Sequence, residues 1–175
     1  MKKDGIILLN KVKGISSFKA INQIKWNIGA SKIGHAGTLD PMAEGLMVVM
    51  VNSATKFSED LMKKDKEYYV EMELGYETDT YDAEGKKTKI YDGIIEYDEQ
   101  NVRDVINSFV GIQDQIPPMY SALKVNGRKM YEMAREGIEI ERKPRRVEIY
   151  SIRDITIKGF LITIWLAARS TPKIG

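Results

Sequence analysis

A glycine-rich loop that runs directly into a short apolar segment restricts the fold of this chain more than any other feature. Residues 34–46 contain three glycines, the chain's only histidine, His35, and a single aspartate, Asp40. Pro41 fixes its own φ angle and disfavours helix at Asp40, so the pattern predicts a stiff loop. The continuous apolar run 46–51 has the length of a strand that is covered on both faces. We therefore expect Asp40 to lie on a rigid turn that a buried strand anchors.

Length and composition indicate one soluble globular domain, or a domain with a small appendage. The 175 residues are 43% hydrophobic, which suffices for an ordinary core. The absence of cysteine rules out disulfides and thiolate metal sites, and it fits a reducing compartment. No apolar run approaches the roughly 20 residues that a membrane-spanning helix needs, and residues 1–5 lack the apolar core of a signal peptide. We expect a cytoplasmic protein without a membrane contact.

The charged residues are distributed unevenly along the chain. Residues 1–35 carry seven lysines and one acid, whereas residues 77–104 carry nine acids and four basic residues. The lysine-rich part favours contact with a polyanion. Residues 142–146 add four basic side chains, which suit either a solvated connection or RNA contact. The acidic segment 77–85 does not follow the calcium-loop spacing, so we interpret it as a turn and expect no metal.

Hydrophobic periodicity predicts both helices and strands. One helix should begin at a cap, Ser16 or Ser17, and end at Gly29. The apolar positions that should face the core from this helix are Phe18, Ile21, Ile24 and Ile28. A second helix should open at Asp98 and close at Gly111. Its core-facing positions should be Val102, Val105, Ile106, Phe109 and Val110. Shorter helices are expected at 53–65 and 130–137.

Strands are expected at 5–10, 46–51, 68–75, 147–152, 155–157 and 160–165. Alternation in 68–75 places Tyr68, Val70, Met72 and Leu74 on the core side. A tight hairpin should form at 158–159, and the apolar segment 115–124 should pack against the rest. Together these elements predict an α+β fold in which helices flank a mixed, mainly antiparallel central sheet. No linker divides the sequence.

Four blocks of the sequence together resemble a known family. They are 10–17 (NKVKGISS), 34–45 (GHAGTLDPMAEG), 65–85 with its DKEYYV start, and 117–124 (PPMYSALK). They resemble the motifs of the TruB-type tRNA pseudouridine synthases, and the likeness runs from about residue 5 to residue 160. The resemblance implies the pseudouridine synthase catalytic fold for residues 1–175. It also implies that a uridine in the T loop of tRNA, at position 55, is converted to pseudouridine without a metal or an organic cofactor.

The resemblance implies roles for seven residues. Asp40 corresponds to the catalytic nucleophile, and its reactivity is expected to come from burial and position. Tyr68 corresponds to the tyrosine that packs on the flipped uracil, and His35 to the histidine that enters the T loop. The other substrate-binding residues that it implies are Lys11, Gly37, Thr38 and Leu39. From the residues alone, Asp40 also suits a turn cap, Tyr68 a core position in a strand, and His35 the filling of a loop.

The chain departs from the family pattern in two places. Val12 stands where the family usually has proline after Lys11, which predicts a looser turn. From Trp165 the chain reads WLAARSTPKIG, where the family has a block that supplies a second active-site tyrosine and an arginine that pairs with the aspartate. The motif therefore does not assign that role to Arg169. We expect a catalytic domain that is incomplete at its carboxyl end, without the usual RNA-binding (PUA-like) domain.

Two hypotheses from different classes follow, and both have the T arm of tRNA as the partner. The first is a monomeric tRNA pseudouridine synthase. The second is a tRNA-binding or tRNA-folding module without turnover, which the divergent residues 165–175 favour. A guide-RNA-dependent relative that works inside a ribonucleoprotein is disfavoured, because residues 41–45 have the pattern of the standalone enzymes.

Overall fold

A computed structural model describes residues 4–117, 124, 125, 127–130, 133, 136–138 and 140–169. The packing predicted for 115–124 and the helix predicted at 130–137 fall largely outside these residues. The chain divides into two compact units, Met1–Lys64 and Asp65–Gly175. Each unit has its own antiparallel sheet and its own apolar core.

The first unit is a three-stranded antiparallel sheet with helices beside it. Its elements are β1 (Gly5–Lys11), α1 (Ser17–Ile28), β2 (Ile33–His35), β3 (Gly45–Val51), a 3₁₀ helix (Asn52–Phe57) and α2 (Ser58–Met62). The sheet order is β1-β3-β2, so β3 is central. The single helix expected at 53–65 is thus two shorter elements. Asn52 turns the chain there with φ of 53°, and its side-chain oxygen accepts from the Ser31 and Lys32 amides at 3.0 and 3.1 Å.

Strand β3 is covered on both faces along most of its length, as the sequence predicts. Met47 and Val49 pack under α1 together with Ile21. Met50 packs on the other face with Ala54 of the 3₁₀ helix. Leu46, at the start of the strand, is exposed, and there the expectation of two covered faces is wrong. The 3₁₀ helix and α2 cover only the far end of that face.

Helix α1 has the predicted ends but a different buried face. The Ser16 side chain accepts from the Lys19 amide at 3.2 Å, and Gly29 closes the helix in the left-handed conformation with φ of 63°. The expected core contacts of Ile21 and Ile24 are confirmed. Phe18 and Ile28, however, are exposed. The cause is that the sheet is narrow. It covers only positions 17, 20, 21 and 24 of the helix, which have the i, i+3, i+4, i+7 spacing of one helix face.

The second unit is built on a four-stranded antiparallel sheet in the order β4-β11-β10-β7. Its elements are β4 (Lys66–Glu73), β5 (Tyr76–Thr78), β6 (Lys87–Ile90), α3 (Glu99–Ser108), β7 (Gly111–Gln115), β8 (Lys124–Val125), β9 (Arg128–Lys129), β10 (Arg145–Lys158) and β11 (Leu161–Ala168). The pairs β5-β6 and β8-β9 form two small separate sheets. The α+β class is confirmed. All pairings among the described residues are antiparallel, and they fall into several sheets instead of one.

The core of the second unit lies between its sheet and α3. The predicted alternation of β4 is confirmed, because Tyr68, Val70 and Met72 all pack against this core. Helix α3 contributes Ile106 and Val102. Its other expected core residues, Val105, Phe109 and Val110, are exposed. The helix is shorter than predicted, since it ends at Ser108 and Gly111 already begins β7, so only the i, i+4 pair reaches the sheet.

The two strands expected at 147–152 and 155–157 are one long strand, β10. Its pairing with β11 shifts register between Arg153 and Thr156, where Asp154 has φ of 56°. Such a bulge inserts an extra residue and breaks the alternation on which the sequence reading relied. The hairpin predicted at 158–159 is confirmed and joins β10 to β11.

Candidate active site

The loop 36–44 joins β2 to β3 in the first unit, and its backbone is held at both ends. At its start, the Ala36 amide donates to the Val48 carbonyl at 2.9 Å. At its end, Gly45 has φ of 122°, a conformation that other residues rarely adopt, and it pairs with Lys11 in the sheet. The loop therefore starts and finishes on fixed strands.

Ser17 fastens the residue before Asp40 to the first turn of α1. The Ser17 hydroxyl accepts from the Leu39 amide at 2.9 Å and donates to the Leu39 carbonyl at 2.8 Å. Ser17 itself is buried, and the Leu39 side chain packs beside Ile21 in the core. Because both backbone groups and the side chain of Leu39 are occupied, its position is fixed.

Sequence reasoning considered Ser17 only as a helix cap and missed this contact. Ser16 is the cap, and Ser17 is the first residue of the helix proper. The sequence does contain an indication. Ser17 lies three and four residues before Ala20 and Ile21, on the buried face, and a buried hydroxyl needs hydrogen-bond partners. The backbone of a loop that lies beside the helix can supply these partners.

The residue after Asp40 is held as firmly as the residue before it. The Ala43 amide donates to the Asp40 carbonyl at 3.1 Å, which closes a turn with Pro41 at its second position. The Pro41 carbonyl accepts from the Gly14 amide at 2.8 Å and from Lys11 Nζ at 3.3 Å. The stiff turn predicted from the sequence is confirmed, and Asp40 lies between two anchored residues.

Lys11 crosses beneath this turn as a buried ammonium. It is only 1% exposed. Its Nζ donates to the carbonyls of Val12 at 3.0 Å and Ile15 at 2.9 Å, in addition to the Pro41 carbonyl. The three donors of the ammonium thus tie the end of β1, the following turn and the Asp40 loop to one point. Binding of substrate by Lys11 stays a prediction; what the structure places here is a connection inside the protein.

The charge of Lys11 acts on the carboxylates of the loop. Burial lowers the pKa of Lys11, and the negative charges of Asp40 and Glu44 oppose that decrease. The sequence showed no cation for Asp40, because Arg169 has no family motif around it. Lys11 is a cation that sequence reasoning had assigned to the substrate instead.

Asp40 and Thr38 are exposed, and Gly37 and Leu39 are half-buried. The expectation that Asp40 is buried is therefore wrong for this structure. Its fixed placement comes from its two neighbours, Leu39 and Pro41, whose backbones are bonded to Ser17 and Lys11. The loop thus exposes a carboxylate to solvent on a rigid backbone.

His35 lies in β2, directly before the loop, opposite Val49 in the sheet register. Its Nδ1 atom is buried and has no hydrogen-bond partner within the described residues. A buried polar atom that lacks a partner costs about 1–3 kcal/mol. Contact of His35 with RNA stays a prediction, because this nitrogen is itself buried.

Tyr68 and Arg169 belong to the second unit. Tyr68 is half-buried on β4, opposite Leu166 in the register, and it packs against the core as predicted. The Arg169 guanidinium lies 4.0 Å from the Glu148 carboxylate and 5.9 Å from the Tyr150 ring centroid. The structure thus gives Arg169 partners in its own unit.

The described residues contain no metal-binding cluster. Within the ranges given above, no three His, Asp or Glu side chains come together as metal ligands do. The acidic turn 77–85 uses its side chains locally, as predicted: Asp82 accepts from the Thr80 hydroxyl at 2.7 Å and from the Glu84 amide at 3.1 Å. No helix in the same part of the chain is long and apolar enough to cross a membrane.

Comparison with known proteins places this loop in a family. The model of the TruB family pseudouridylate synthase N-terminal domain matches residues 25–170, which include the Asp40 loop and the strands of the second unit. The chain belongs to the TruB family. This confirms the resemblance drawn from the four sequence blocks.

Named relatives agree with the TruB assignment. The chain is 48% identical over 155 residues to tRNA pseudouridine synthase B of Fusobacterium nucleatum subsp. nucleatum, covering 89% of this chain and 53% of that protein. It is 44% identical to the protein of that name from Bordetella pertussis, covering 94% of this chain and 68% of that protein. The chain therefore spans about half the length of the first of these relatives.

Solved structures support the fold of the TruB chain. A chain in the crystal structure of a Cbf5-Nop10-Gar1 complex matches with a TM-score of 0.70 and 25% identity, covering 96% of this chain and 40% of that one. A chain in a structure of an H/ACA RNP bound to a substrate RNA containing 2'-deoxyuridine matches with a TM-score of 0.64. At 22% identity, that second likeness shows the fold alone.

Ser17→Ala should loosen the Asp40 loop. The change removes both hydrogen bonds to Leu39 and leaves two backbone groups without their partner, at a cost of about 1–3 kcal/mol in the free energy of unfolding. The Leu39 amide should exchange its hydrogen faster, measured by NMR. Ser16→Ala is the matched control: it should cost about 1 kcal/mol through loss of the cap and leave Leu39 protected. Equal protection of Leu39 in both variants would contradict the role of Ser17.

The buried ammonium of Lys11 should give the protein a distinct pH dependence. Its pKa in the folded chain lies below the ordinary value of 10.5. Between those two values the unfolded chain holds the extra proton, so stability rises with pH in that window. Urea unfolding should show that the free energy of unfolding of wild type, relative to that of Lys11→Met, increases as the pH rises to 10.5. If the stability of wild type relative to Lys11→Met stayed constant or decreased over this pH range, that result would contradict burial of the charge.

Proposed function

We propose that this chain carries the catalytic residue of a tRNA pseudouridine synthase, with Asp40 as its nucleophile. The observation that carries the proposal is the exposed Asp40 carboxylate, fixed between Leu39 and Pro41 on a loop that the TruB family model includes. Relatives of the family are named tRNA pseudouridine synthase B. The substrate we propose is a uridine in the T loop of tRNA.

The reaction needs a group that keeps the detached uracil and the ribose in the site while the base turns. The bond between uracil N1 and the ribose C1′ breaks, and a bond between C5 and C1′ forms. N1 ends with a proton, and C5 loses one, so the product is an isomer and no oxidant or water is consumed. A carboxylate that adds to the sugar carbon or to the base divides this rearrangement into smaller steps. Both points of attack remain open for Asp40.

A fixed, exposed carboxylate suits a base that arrives from outside. The target base must leave its stack to reach the site, which costs a few kcal/mol that contacts to the protein restore. An Asp40 that is already positioned loses little conformational freedom when the base arrives, and this lowers the barrier. The positive charge of Lys11 interacts with this carboxylate inside the same unit.

The other site residues receive roles around this centre. Following the family resemblance, Tyr68 would pack on the flipped uracil and His35 would enter the T loop. Gly37, Thr38 and Leu39 form the part of the loop before Asp40, and the first two can contact RNA directly because they are not fully buried. We assign Lys11 to support of the loop as well as to the charge near the substrate.

The wider expectations belong to the same proposal. We propose residues 1–175 as a pseudouridine synthase catalytic domain that acts as a monomer on the T arm of tRNA, in the cytoplasm. The reaction requires no metal or organic cofactor in this scheme. Recognition should depend on the folded shape of the T loop and on its unstacked bases, as is usual for specific RNA binding.

A tRNA-binding module without turnover is the second candidate. The sequence from Trp165 departs from the family block that supplies an arginine beside the catalytic aspartate. The corresponding residues here end β11, with Leu166 and Ala168 in the core of the second unit. This departure favours a chain that binds and folds tRNA but turns over slowly. The same assay that tests the first candidate separates the two.

Asp40→Asn should abolish the reaction without affecting the fold. The amide keeps the size of the side chain but is not a nucleophile, so pseudouridine formation should fall at least about a thousandfold. The measurement is chemical mapping of pseudouridine in unmodified tRNA or a T-arm hairpin after incubation with each variant. Glu44→Gln, which removes the other loop carboxylate, is the control and should retain product formation. Product from Asp40→Asn at the wild-type rate would exclude Asp40 as the nucleophile.

The binding module predicts another pattern in the same assay. Wild type and Asp40→Asn would bind tRNA equally, and neither would form pseudouridine. That result would replace the first candidate with the second. Loss of tRNA binding by wild type would overturn both.

Tyr68→Leu should reduce turnover far more than tRNA binding. Leucine fills most of the space against the core but has no ring face for the uracil, and stacking contributes about 1–3 kcal/mol per base. Tyr68→Phe keeps the ring and should retain most of the rate. Tyr69→Leu, on the opposite face of β4, should leave the rate unchanged. Single-turnover kinetics and filter binding make the comparison, and equal losses of binding and rate in Tyr68→Leu would refute the stacking role.

A further inference from the structure

The outward face of α1 carries large aromatic side chains that no part of the described chain covers. Because Ala20, Ile21 and Ile24 point to the sheet, residues 18, 19, 22 and 26 lie on the other side of the helix. Trp26 is 81% exposed and Phe18 is 70% exposed. Single apolar residues on a surface are ordinary, but two aromatic rings on one helix face are typical of an interaction surface.

The charges on this face are of one sign. Lys19 is exposed and Lys25 half-buried on α1, while Lys13 before the helix and Lys32 after it are both exposed. The sequence contains no acid between residues 5 and 39. Within the part of the chain that the structure describes, none of these four lysines forms an ion pair within 4.0 Å. Their charge is therefore available to an outside partner.

This combination suits a nucleic acid better than a protein. Lysines neutralise phosphates, and aromatic rings stack on unpaired bases, which is the pattern of surfaces that bind single-stranded or looped RNA. A second copy of this chain would bring two lysine faces without acids together, and like charges would oppose that contact. An RNA partner has phosphates of the complementary charge, and it has bases on which Trp26 and Phe18 can stack.

We propose that the face formed by Phe18, Lys19, Asn22, Lys25 and Trp26, called here the α1 face, binds tRNA outside the Asp40 loop. Lys13 and Lys32 extend the basic surface at the two ends of the helix. The inference rests on the proposed function for the identity of the RNA. The contact supplies affinity and orientation, because phosphate contacts fix register and stacking tolerates any base. Ser17 joins this helix to Leu39, so RNA bound on the α1 face is held by the element that also positions Asp40.

Two variants of the full chain test the α1 face, with unmodified tRNA as the probe. Trp26→Ala should weaken binding about tenfold through loss of stacking. The triple variant Lys19→Gln, Lys25→Gln, Lys32→Gln should reduce the slope of log K against log salt by about two to three, because each phosphate contact contributes about 0.7–0.9 to that slope. Lys19, Trp26 and Lys32 are exposed and Lys25 is half-buried, and none lies in the core, so both variants should keep the wild-type circular dichroism spectrum.

Matched surface residues elsewhere provide the controls. Tyr91→Ala removes an aromatic side chain that is 61% exposed, and the triple variant Lys63→Gln, Lys86→Gln, Lys158→Gln removes three exposed lysines. Neither should change the affinity or the salt slope. An equal effect of these variants would show a general charge effect and overturn the proposal.

The outcomes separate this inference from the proposed function. Wild-type affinity in both α1 variants, with turnover that still requires Asp40, would overturn the inference and leave the function standing. Weakened binding in the α1 variants, with no pseudouridine from wild type, would support the inference while the proposed function fails. Self-association of the RNA-free chain that Trp26→Ala abolishes, measured by sedimentation velocity, would assign the face to a second copy and overturn the inference.

Discussion

The buried ammonium of Lys11 is the interaction on which the geometry of the first unit depends. Moving such a charge out of water costs several kcal/mol even after relaxation. Hydrogen bonds to a charged group contribute about 1.5–3 kcal/mol each, so three of them offset much of that cost, and the remainder lowers the pKa of Lys11. The three carbonyls belong to Val12, Ile15 and Pro41, so the ammonium joins β1, its following turn and the Asp40 loop. The charge is affordable because it is fully coordinated, and coordination is what brings the segments together.

The support of Asp40 is distributed over three elements of the same unit. Helix α1 holds Leu39 through Ser17, β1 holds Pro41 through Lys11, and β3 receives the end of the loop at Gly45. None of these contacts involves the Asp40 carboxylate itself. The position of Asp40 is thereby set through the backbone of its two neighbours, Leu39 and Pro41.

Local rules explain which features the sequence predicts well. Helix caps, the Asp40–Pro41 turn, the alternation of β4 and the hairpin at Gly159 depend on a few adjacent residues, and all of them are present. The buried faces of α1 and α3 were predicted less well, because how many apolar positions a helix buries depends on the width of the sheet beside it. Phe18 and Val105 are apolar at helical spacing, yet both are exposed.

The errors at the candidate site have a similar origin. Lys11 and Ser17 are polar residues that appear suited to solvent or to a cap, and only the approach of a loop about 20 to 30 residues away along the chain turns them into internal connections. Asp40 was expected to be buried because the reactivity of the nucleophile that the resemblance implies was attributed to burial and position. The turn at Pro41 instead directs it outward. Family resemblance located the loop, but the contacts that hold it are non-local and need coordinates.

Ser16 and Ser17 are neighbours in sequence but perform unrelated tasks, and their order has a geometric consequence. Successive residues of an α-helix are about 100° apart around its axis. Insertion or deletion of one residue between the cap and Ala20 would leave a helix of nearly the same stability, but its hydroxyl would no longer meet the Leu39 backbone. The rotation of the helix about its axis thus determines whether the Ser17 hydroxyl faces the loop. What must be preserved between Ser16 and Ala20 is the number of residues, more than their composition.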